Sequence, residues 1–214
     1  MYAEQVPRTA SPPVRTALIE RAAEMLAGRE PVTIRALVAG TGASTMAIYT
    51  HFGGMPGLWR AVRQEGFTRL AERLAAVERT GDAVRDLAAL GAAYTANAFA
   101  NPHLYRTMFD TEAELEDPEA ANASFTALVE CAARARDAGR FAADCDPEAL
   151  ATRFWATGHG LIMLTLTGAL PAHAVAAHAP EVAAALFVAA GDREDRSRRS
   201  VRAGWSFTPP ALPG

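Results

Sequence analysis

The sequence predicts an all-α protein, with a three-helix unit at the N-terminus and a larger helical body after it. Alanine is abundant among the 214 residues, and β-branched residues are sparse. No long stretch alternates apolar and polar residues with the period of a half-buried strand. Glycine and proline instead interrupt the chain where helices of ordinary length would end.

Composition places the chain among globular proteins, because 50% of its residues are hydrophobic and 21% are charged. The most apolar region, residues 154–191, is interrupted by Pro171 and Pro180. No uninterrupted apolar run within it reaches the roughly 20 residues that a membrane span needs. The N-terminus lacks the basic start and apolar core of a secretory signal. We therefore expect a cytoplasmic protein that does not bind a membrane. Its cysteines, Cys131 and Cys145, are then free thiols, although their spacing is also compatible with a disulfide.

Charge is distributed unevenly along the chain. Residues 1–79 contain ten arginines against seven acidic residues, whereas residues 80–191 contain six arginines against fourteen acidic residues. A mildly basic front and an acidic body fit a molecule that turns one end toward a polyanion.

The predicted N-terminal unit comprises residues 14–58, after an arm of residues 1–13. Ser11 is the expected cap of its first helix, and two prolines occupy the first helical positions, where a missing N–H costs nothing. Apolar residues spaced three and four apart give this helix one buried stripe, and Gly28 stands where it would stop.

Two short helices follow, separated by a turn. Thr33 is the expected cap of the second helix, which ends at the glycine-containing turn of residues 40–43. Ser44 is the expected cap of the third, over residues 44–52. A glycine-containing turn between two short helices is typical of a helix-turn-helix, which presents its second helix to a DNA major groove.

The third helix has two faces. Helical periodicity turns one set of side chains inward: Ala47, Ile48 and Phe52. The opposite set shares the outward side: Thr45, Met46, Tyr49 and Thr50. This outward side is the predicted DNA-reading surface.

A connecting helix over residues 59–79 leads into a body of residues 80–191. Helices are expected at residues 82–100, 103–110, 119–138, 147–167 and 180–190. Asp146 before Pro147 is a strong helix start. Residues 192–214 are charged and then proline-rich without periodicity, so we predict a flexible tail there, which is either a nonspecific arginine-rich DNA contact or a solvated terminus.

The helix predicted around Phe154–Leu166 is apolar nearly all round. Such a helix must be covered on more than one side, and Gly158 and Gly160 would let another helix come close. The sequence thus predicts a homodimer.

Residues 32–54, VTIRALVAGTGASTMAIYTHFGG, resemble the DNA-binding signature of the TetR family of transcriptional regulators. Residues 101–109 and 154–164 resemble the subgroup whose C-terminal domain has a Trp-His-Gly signature. Together these similarities cover most of residues 14–190. They imply an N-terminal helix-turn-helix and a helical effector-binding body. The implied function is that of a homodimeric repressor, released from a near-palindromic DNA operator by a small-molecule effector.

The resemblance also implies roles for individual residues. The residues that would contact phosphates are Thr33, Tyr49 and His51. Those that would approach base edges are Thr45, Met46 and Thr50. Arg35 and Ser44 complete the predicted DNA-binding set. Related sequences usually have lysine in the turn after His-Phe, where this chain has Met55. The corresponding phosphate contact is then absent, and Arg35 and Arg60 either supply the positive charge instead or are simply solvated.

An effector pocket is expected among the central helices of the body. Its candidate residues are Tyr94, Met108, Phe109, Phe125, Trp155 and His159, each of which equally fits plain core or dimer interface. Trp155 and His159 lie one helical turn apart and would form one wall with two polar groups. The acidic residues of 110–119 fit either selection of a cationic effector or a solvated loop.

Other classes of function have little support in the sequence. The histidines and two cysteines lack the paired spacing of a metal site, and we predict neither metal nor cofactor. No phosphate-cradling glycine pattern or nucleophile elbow is present, so we expect no enzyme. The rival hypothesis is a helical small-molecule-binding or enzymatic protein whose N-terminal unit does not bind DNA.

Overall fold

A computed structural model describes residues 12–109 and 115–208 of the chain. Within these residues the protein is helical and has no strand, which confirms the predicted all-α fold. The helices are α1 (Pro12–Ala27), α2 (Ile34–Val38), α3 (Met46–Phe52), α4 (Met55–Ala75), α5 (Ala83–Ala100), α6 (Pro102–Thr107), α7 (Pro118–Asp137), α8 (Pro147–Leu166), α9 (Ala174–Ala189) and α10 (Glu194–Gly204).

The chain divides into two compact units. The first comprises Met1–Gly66 and His103–Glu116, and the second comprises Phe67–Pro102 and Asp117–Gly214. Helix α4 therefore contributes residues to both units. No helix in the described part of the chain is both long and apolar enough to cross a membrane.

The core of the first unit joins α1 to the three helices that follow it and to α6. The stripe predicted on α1 is buried at Leu18, Ala22 and Met25, and Leu26 packs against its edge. The remaining large side chains of this core come from the other helices: Leu37, Ile48, Leu58, Val62 and Leu104. Because α2 and α3 contribute few core residues of their own, their stability comes from packing on α1 and α4.

Two predicted helix starts in this unit were wrong. Helix α3 begins at Met46, and the N-cap position belongs to Thr45, whose side chain makes no capping hydrogen bond. Helix α4 begins at Met55, four residues before the predicted start of the connecting helix at residue 59. A proline is tolerated in the first turn because the N–H it lacks would be unpaired there. The predicted cap Ser11 lies outside the described residues.

The second unit is built around α5, which packs against α7, α8 and α10, while α9 packs against α8 and α10. Asp146 caps α8 as predicted, because its carboxylate accepts hydrogen bonds from the N–H groups of Glu148 and Ala149. Asp82 caps α5 in the same way. These caps satisfy backbone donors that would otherwise be unpaired.

Helix α9 begins earlier than its proline suggests. It starts at Ala174 and continues through Pro180, where the sequence predicted its first residue. Buried side chains on both sides of the proline, among them Val175 and Phe187, hold the two halves on the same core. This packing outweighs the single backbone hydrogen bond that the proline removes.

The prediction of a flexible tail over residues 192–214 was wrong for Glu194–Gly204, which form α10. One side of this helix is buried through small residues three and four apart: Ser197, Ser200, Val201 and Gly204. A Cβ at Gly204 would overlap the carbonyl oxygen of Arg85, so glycine allows α10 to lie directly against α5. The other side has ion pairs one turn apart, such as Arg198 with Glu194.

A buried ionic cluster connects four separate segments of the second unit. The guanidinium of Arg140, which follows α7, forms two hydrogen bonds with Asp192 at 2.9 and 2.7 Å. It also donates to Asp82 at 2.6 Å and to Ser200 at 3.1 Å. Although burial alone would raise the pKa of Asp82, hydrogen bonds from Ser200 and Arg85 and the charge of Arg140 lower it. The cluster joins α5, α10 and the segments after α7 and α9.

Candidate nucleic-acid interface and effector site

The predicted cap of α2 is present. Thr33 has extended backbone dihedrals, and its hydroxyl oxygen accepts a hydrogen bond from the N–H of Ala36 at 3.2 Å. Its side chain and that of Arg35 are exposed. Thr33 therefore fixes the start of α2 while remaining accessible from solvent.

The turn between α2 and α3 is closed by one hydroxyl group. Thr41 donates to the carbonyl oxygen of Val38 at 2.9 Å and accepts from the N–H of Ala43 at 3.3 Å. On either side of it, Gly40 and Gly42 have φ of 78° and 70°, which L side chains rarely adopt. These glycines and the hydroxyl fix the direction in which α3 leaves α2.

The turn after α3 is equally constrained. Gly53 has φ of 70°, and its N–H donates to the carbonyl oxygen of Tyr49, as in a left-handed helix cap. Gly57 lies so close to the backbone of Phe52 that a Cβ would overlap the Phe52 carbonyl oxygen. Helix α3 is thus held at both ends by backbone geometry that requires glycine.

The two predicted faces of α3 are present. Ile48 is fully buried, Ala47 and Phe52 pack against the core of the first unit, and the guanidinium of Arg15 lies 5.6 Å from the centre of the Phe52 ring. On the other side, Met46 is 66% exposed and Tyr49 is 55% exposed. They are the two most exposed large apolar side chains of the described residues.

The remaining predicted DNA-binding residues surround this pair. Ser44, Thr45 and Thr50 are exposed, and the hydroxyl of Thr50 donates to the carbonyl oxygen of Met46 at 3.1 Å, which leaves its oxygen able to accept. His51 is partly buried, and its ring lies 6.0 Å from that of Phe52. Their DNA contacts stay predictions.

The position after α3 supplies no positive charge. Met55 is partly buried and packs against the core of the first unit. Arg60, the alternative source of charge, is exposed on α4.

The sequence did not indicate a role for Arg15, whose cation–π contact with Phe52 connects α1 to the inner side of α3.

Four of the six predicted effector residues lie together in the second unit. The indole N–H of Trp155 donates to the hydroxyl oxygen of Tyr94 at 3.1 Å, and this hydroxyl lies 3.1 Å from Nδ1 of His159. The Phe125 ring meets the Trp155 ring edge-on at 6.1 Å. Each of these four side chains is partly buried. We call them the aromatic cluster.

The direction of one of these hydrogen bonds follows from the donor group. An indole N–H only donates, so the Tyr94 oxygen accepts from Trp155, whereas the direction of its bond with Nδ1 of His159 depends on the imidazole tautomer. Nδ1 accepts only in a neutral imidazole that has its proton on Nε2. Burial lowers the pKa of His159, which favours this neutral form.

We expect the neutral state of His159 to make stability depend on pH. Because its pKa is lower in the folded chain than in the unfolded chain, its contribution is complete above about pH 6.5 and is lost as the pH falls below it. Urea unfolding of the wild type at about pH 7.5 and pH 5.5 measures this loss. The His159→Gln variant should lose less stability between these conditions. A change at the exposed His173 is the control, and equal losses in wild type and His159→Gln would contradict the assignment.

The other two predicted effector residues belong to the first unit. Met108 is fully buried, and its backbone oxygen accepts a hydrogen bond from Arg63 at 3.0 Å. Phe109 packs edge-on against Tyr105 at 5.7 Å. The hydrogen-bonded cluster therefore does not include them, and their effector role stays a prediction.

The structure describes only part of the acidic run, and neither interpretation of it is tested. Residues 110–114 lie outside the described residues, while Glu116, Asp117 and Glu119 are exposed. Asp117 caps α7 by accepting from the N–H of Glu119 at 2.9 Å. This part of the run has a local structural role.

The described residues contain no group of three histidine, cysteine or acidic side chains suited to hold a metal ion. Cys131 and Cys145 are free thiols. Burial raises the pKa of the Cys131 thiol to about 12, and its sulfur lies 3.2 Å from the carbonyl oxygen of Ala83. A buried thiol that stays protonated is a poor nucleophile.

Comparisons with known proteins give a match to a protein family and matches to solved structures. Residues 87–190 match the tetracyclin repressor-like C-terminal domain. No curated protein matches the sequence. A protein of unknown function from Rhodococcus sp. RHA1 is 26% identical, with a TM-score of 0.70 over 88% of this chain and 100% of its own.

Two further solved structures share the fold. A regulatory protein in the tetR family from Rhodococcus RHA1 is 19% identical, with a TM-score of 0.71 over 86% of this chain and 100% of its own. The regulator FadR from Bacillus subtilis, solved in complex with stearoyl-CoA, is 14% identical, with a TM-score of 0.69 over 80% of this chain and 97% of its own.

Proposed function

Since this chain belongs to the TetR family, we propose that it is a transcriptional repressor whose DNA affinity is controlled by a small-molecule effector. In this proposal a homodimer binds a near-palindromic operator through α3 of each subunit. The effector binds the helical body and releases the operator. The Trp-His-Gly subgroup stays a prediction.

The exposed pair Met46 and Tyr49 is the observation that supports DNA binding most directly. Apolar side chains with more than half of their surface in solvent contribute less to folding stability than buried ones, and a short helix fixed at both ends presents them rigidly. A phenol hydroxyl is suited to donate to a phosphate oxygen, and a methionine side chain to contact a thymine methyl group. Together they fit the edge of a DNA groove.

The homodimer is supported by apolar side chains left uncovered in the second unit. Leu164 on α8 and Val188 on α9 are exposed, and the space around Gly158 and Gly160 is open. Exposed apolar side chains on long helices favour association, since burial removes them from water. A second copy of the chain is the proposed cover.

Effector binding is supported by the aromatic cluster. Its rings supply apolar surface, and the hydrogen-bonded hydroxyl and imidazole supply polar groups, a combination typical of small-molecule sites. The FadR structure contains stearoyl-CoA, and for this chain we propose only that the effector is a small organic molecule. Its release of DNA corresponds to a coupling of about 1 to 3 kcal/mol.

Binding to labelled DNA from the region upstream of its own gene tests the proposal. We expect sub-micromolar affinity at about 50 mM salt and at least a roughly hundredfold loss at about 200 mM, because phosphate contacts release counterions. An unrelated fragment of equal length is the control for sequence preference. If no fragment binds, the rival hypothesis is favoured, in which the N-terminal unit does not bind DNA and the body is a ligand-binding or enzymatic module.

A further inference from the structure

A groove of about 490 Å³ lies within the second unit, apart from the aromatic cluster. It is lined by the end of α4, by one side of α5 and by the segment that follows α10. Its volume is within the range of roughly 300 to 1,000 Å³ that small-molecule sites occupy. The α5 residues that line it lie on a different side of the helix from Tyr94, because they repeat at three- and four-residue spacing that excludes position 94.

One part of the groove lining is apolar and made of small side chains. It comprises Ala89, Ala92, Ala93 and Ala96 of α5, and Phe207 adds an aromatic ring from the C-terminal segment. Alanine methyl groups offer no hydrogen bond, so this part of the groove suits an apolar body. Because they are short, they also leave the space that a longer side chain would fill.

Two arginines give the groove its charge. Arg73 and Arg85 line it, and neither guanidinium forms an ion pair with any described residue. Asp86 also lines it, but its carboxylate is bound by Arg134 at 3.0 Å. Glu78 is the other acidic residue of the lining and is exposed. The unpaired charge of the groove is therefore positive.

We propose that this groove binds a small amphipathic anion, a carboxylate with an unbranched apolar body. Arg85 holds the carboxylate, since its side chain is partly buried and its charge is screened less than that of the exposed Arg73. The alanine face of α5 and Phe207 cover the apolar body. This site is separate from the aromatic cluster and does not depend on DNA binding.

Titration calorimetry of the full chain with octanoate tests the site, with octylammonium as the probe of opposite charge. We expect octanoate to bind at least about tenfold more tightly than octylammonium, because only the carboxylate pairs with the guanidinium. The Arg85→Gln variant should bind octanoate about tenfold more weakly. The Ala96→Phe variant should abolish binding by filling the groove. Arg202→Gln, which changes an exposed arginine outside the groove, should leave binding unchanged.

Three results would overturn the proposal. Equal affinity for both probes would indicate adsorption to apolar surface without charge recognition. Octanoate binding that survives both Arg85→Gln and Ala96→Phe would locate the anion elsewhere. A loss caused by His159→Gln and not by Arg85→Gln would assign it to the aromatic cluster. Circular dichroism verifies that each variant is folded, and Arg85→Gln decides the outcome if Ala96→Phe is not.

Discussion

Replacing Arg140 by methionine is expected to lower the free energy of unfolding by about 3 to 5 kcal/mol. The side chains of Arg140 and Asp192 are only 4% and 2% exposed, so the variant leaves a buried carboxylate without its cation. Asp82 and Ser200 lose their shared donor as well. Breaking one side of a buried ion pair costs more than the pair contributes, because the remaining charge is neither solvated nor matched.

Urea denaturation at one fixed protein concentration measures this effect. The matched control is Arg199→Met, which removes an exposed arginine whose ion pair with Asp195 is accessible to water on both sides. We expect this control to change stability by about 0 to 1 kcal/mol. Similar small losses in both variants would contradict the structural role of the buried cluster.

The cluster around Arg140 also illustrates what a single sequence does not reveal. Its partners Asp192 and Asp82 lie 52 and 58 positions away along the chain. No local pattern distinguishes this arginine from the solvated arginines of the same chain. Helix caps are local, and those formed by Thr33 and Asp146 were predictable from their position before an apolar periodic stretch, although the cap predicted at Ser44 was wrong.

Helix α10 was missed for a related reason. Its buried side consists of small residues, among them Ser197, Ser200 and Gly204, and this side is covered because α10 packs closely on α5. Hydrophobic periodicity detects buried leucine or valine, whereas buried serine and glycine read as loop residues. The charged outer side further gave the segment the composition of a solvated tail.

The features of the candidate sites that depend on residues close together in the sequence were predictable, and those that depend on the packing of distant helices were not. The exposed face of α3 follows from helical periodicity within a few residues, and the structure has Met46 and Tyr49 on it. The neighbourhood of Trp155 and His159 follows from their separation of one helical turn. The two hydrogen bonds of Tyr94 with these side chains could not be predicted, because they depend on the packing of α5 on α8. The groove beside Arg85 could not be predicted either, because it depends on the packing of α10 on α5.

Removing the exposed ring of Tyr49 is expected to have the largest effect on function. Each subunit of a dimer would lose one hydrogen bond to a charged phosphate, which contributes about 1.5 to 3 kcal/mol. With two reading helices, Tyr49→Ala should weaken operator binding at least about a hundredfold. Since Tyr49 is 55% exposed, folding stability should change little. Tyr49→Phe separates the contribution of the hydroxyl from that of the ring.

Fluorescence anisotropy of labelled operator DNA with wild type and Tyr49→Ala tests most directly whether α3 reads DNA. Thr126→Ala, an exposed change on α7, is the control and should bind as the wild type does. We expect a large loss of affinity for Tyr49→Ala alone, with the salt dependence of the wild type, because the phenol hydroxyl is uncharged and releases no counterion. Wild-type affinity in a folded Tyr49→Ala variant would contradict this expectation.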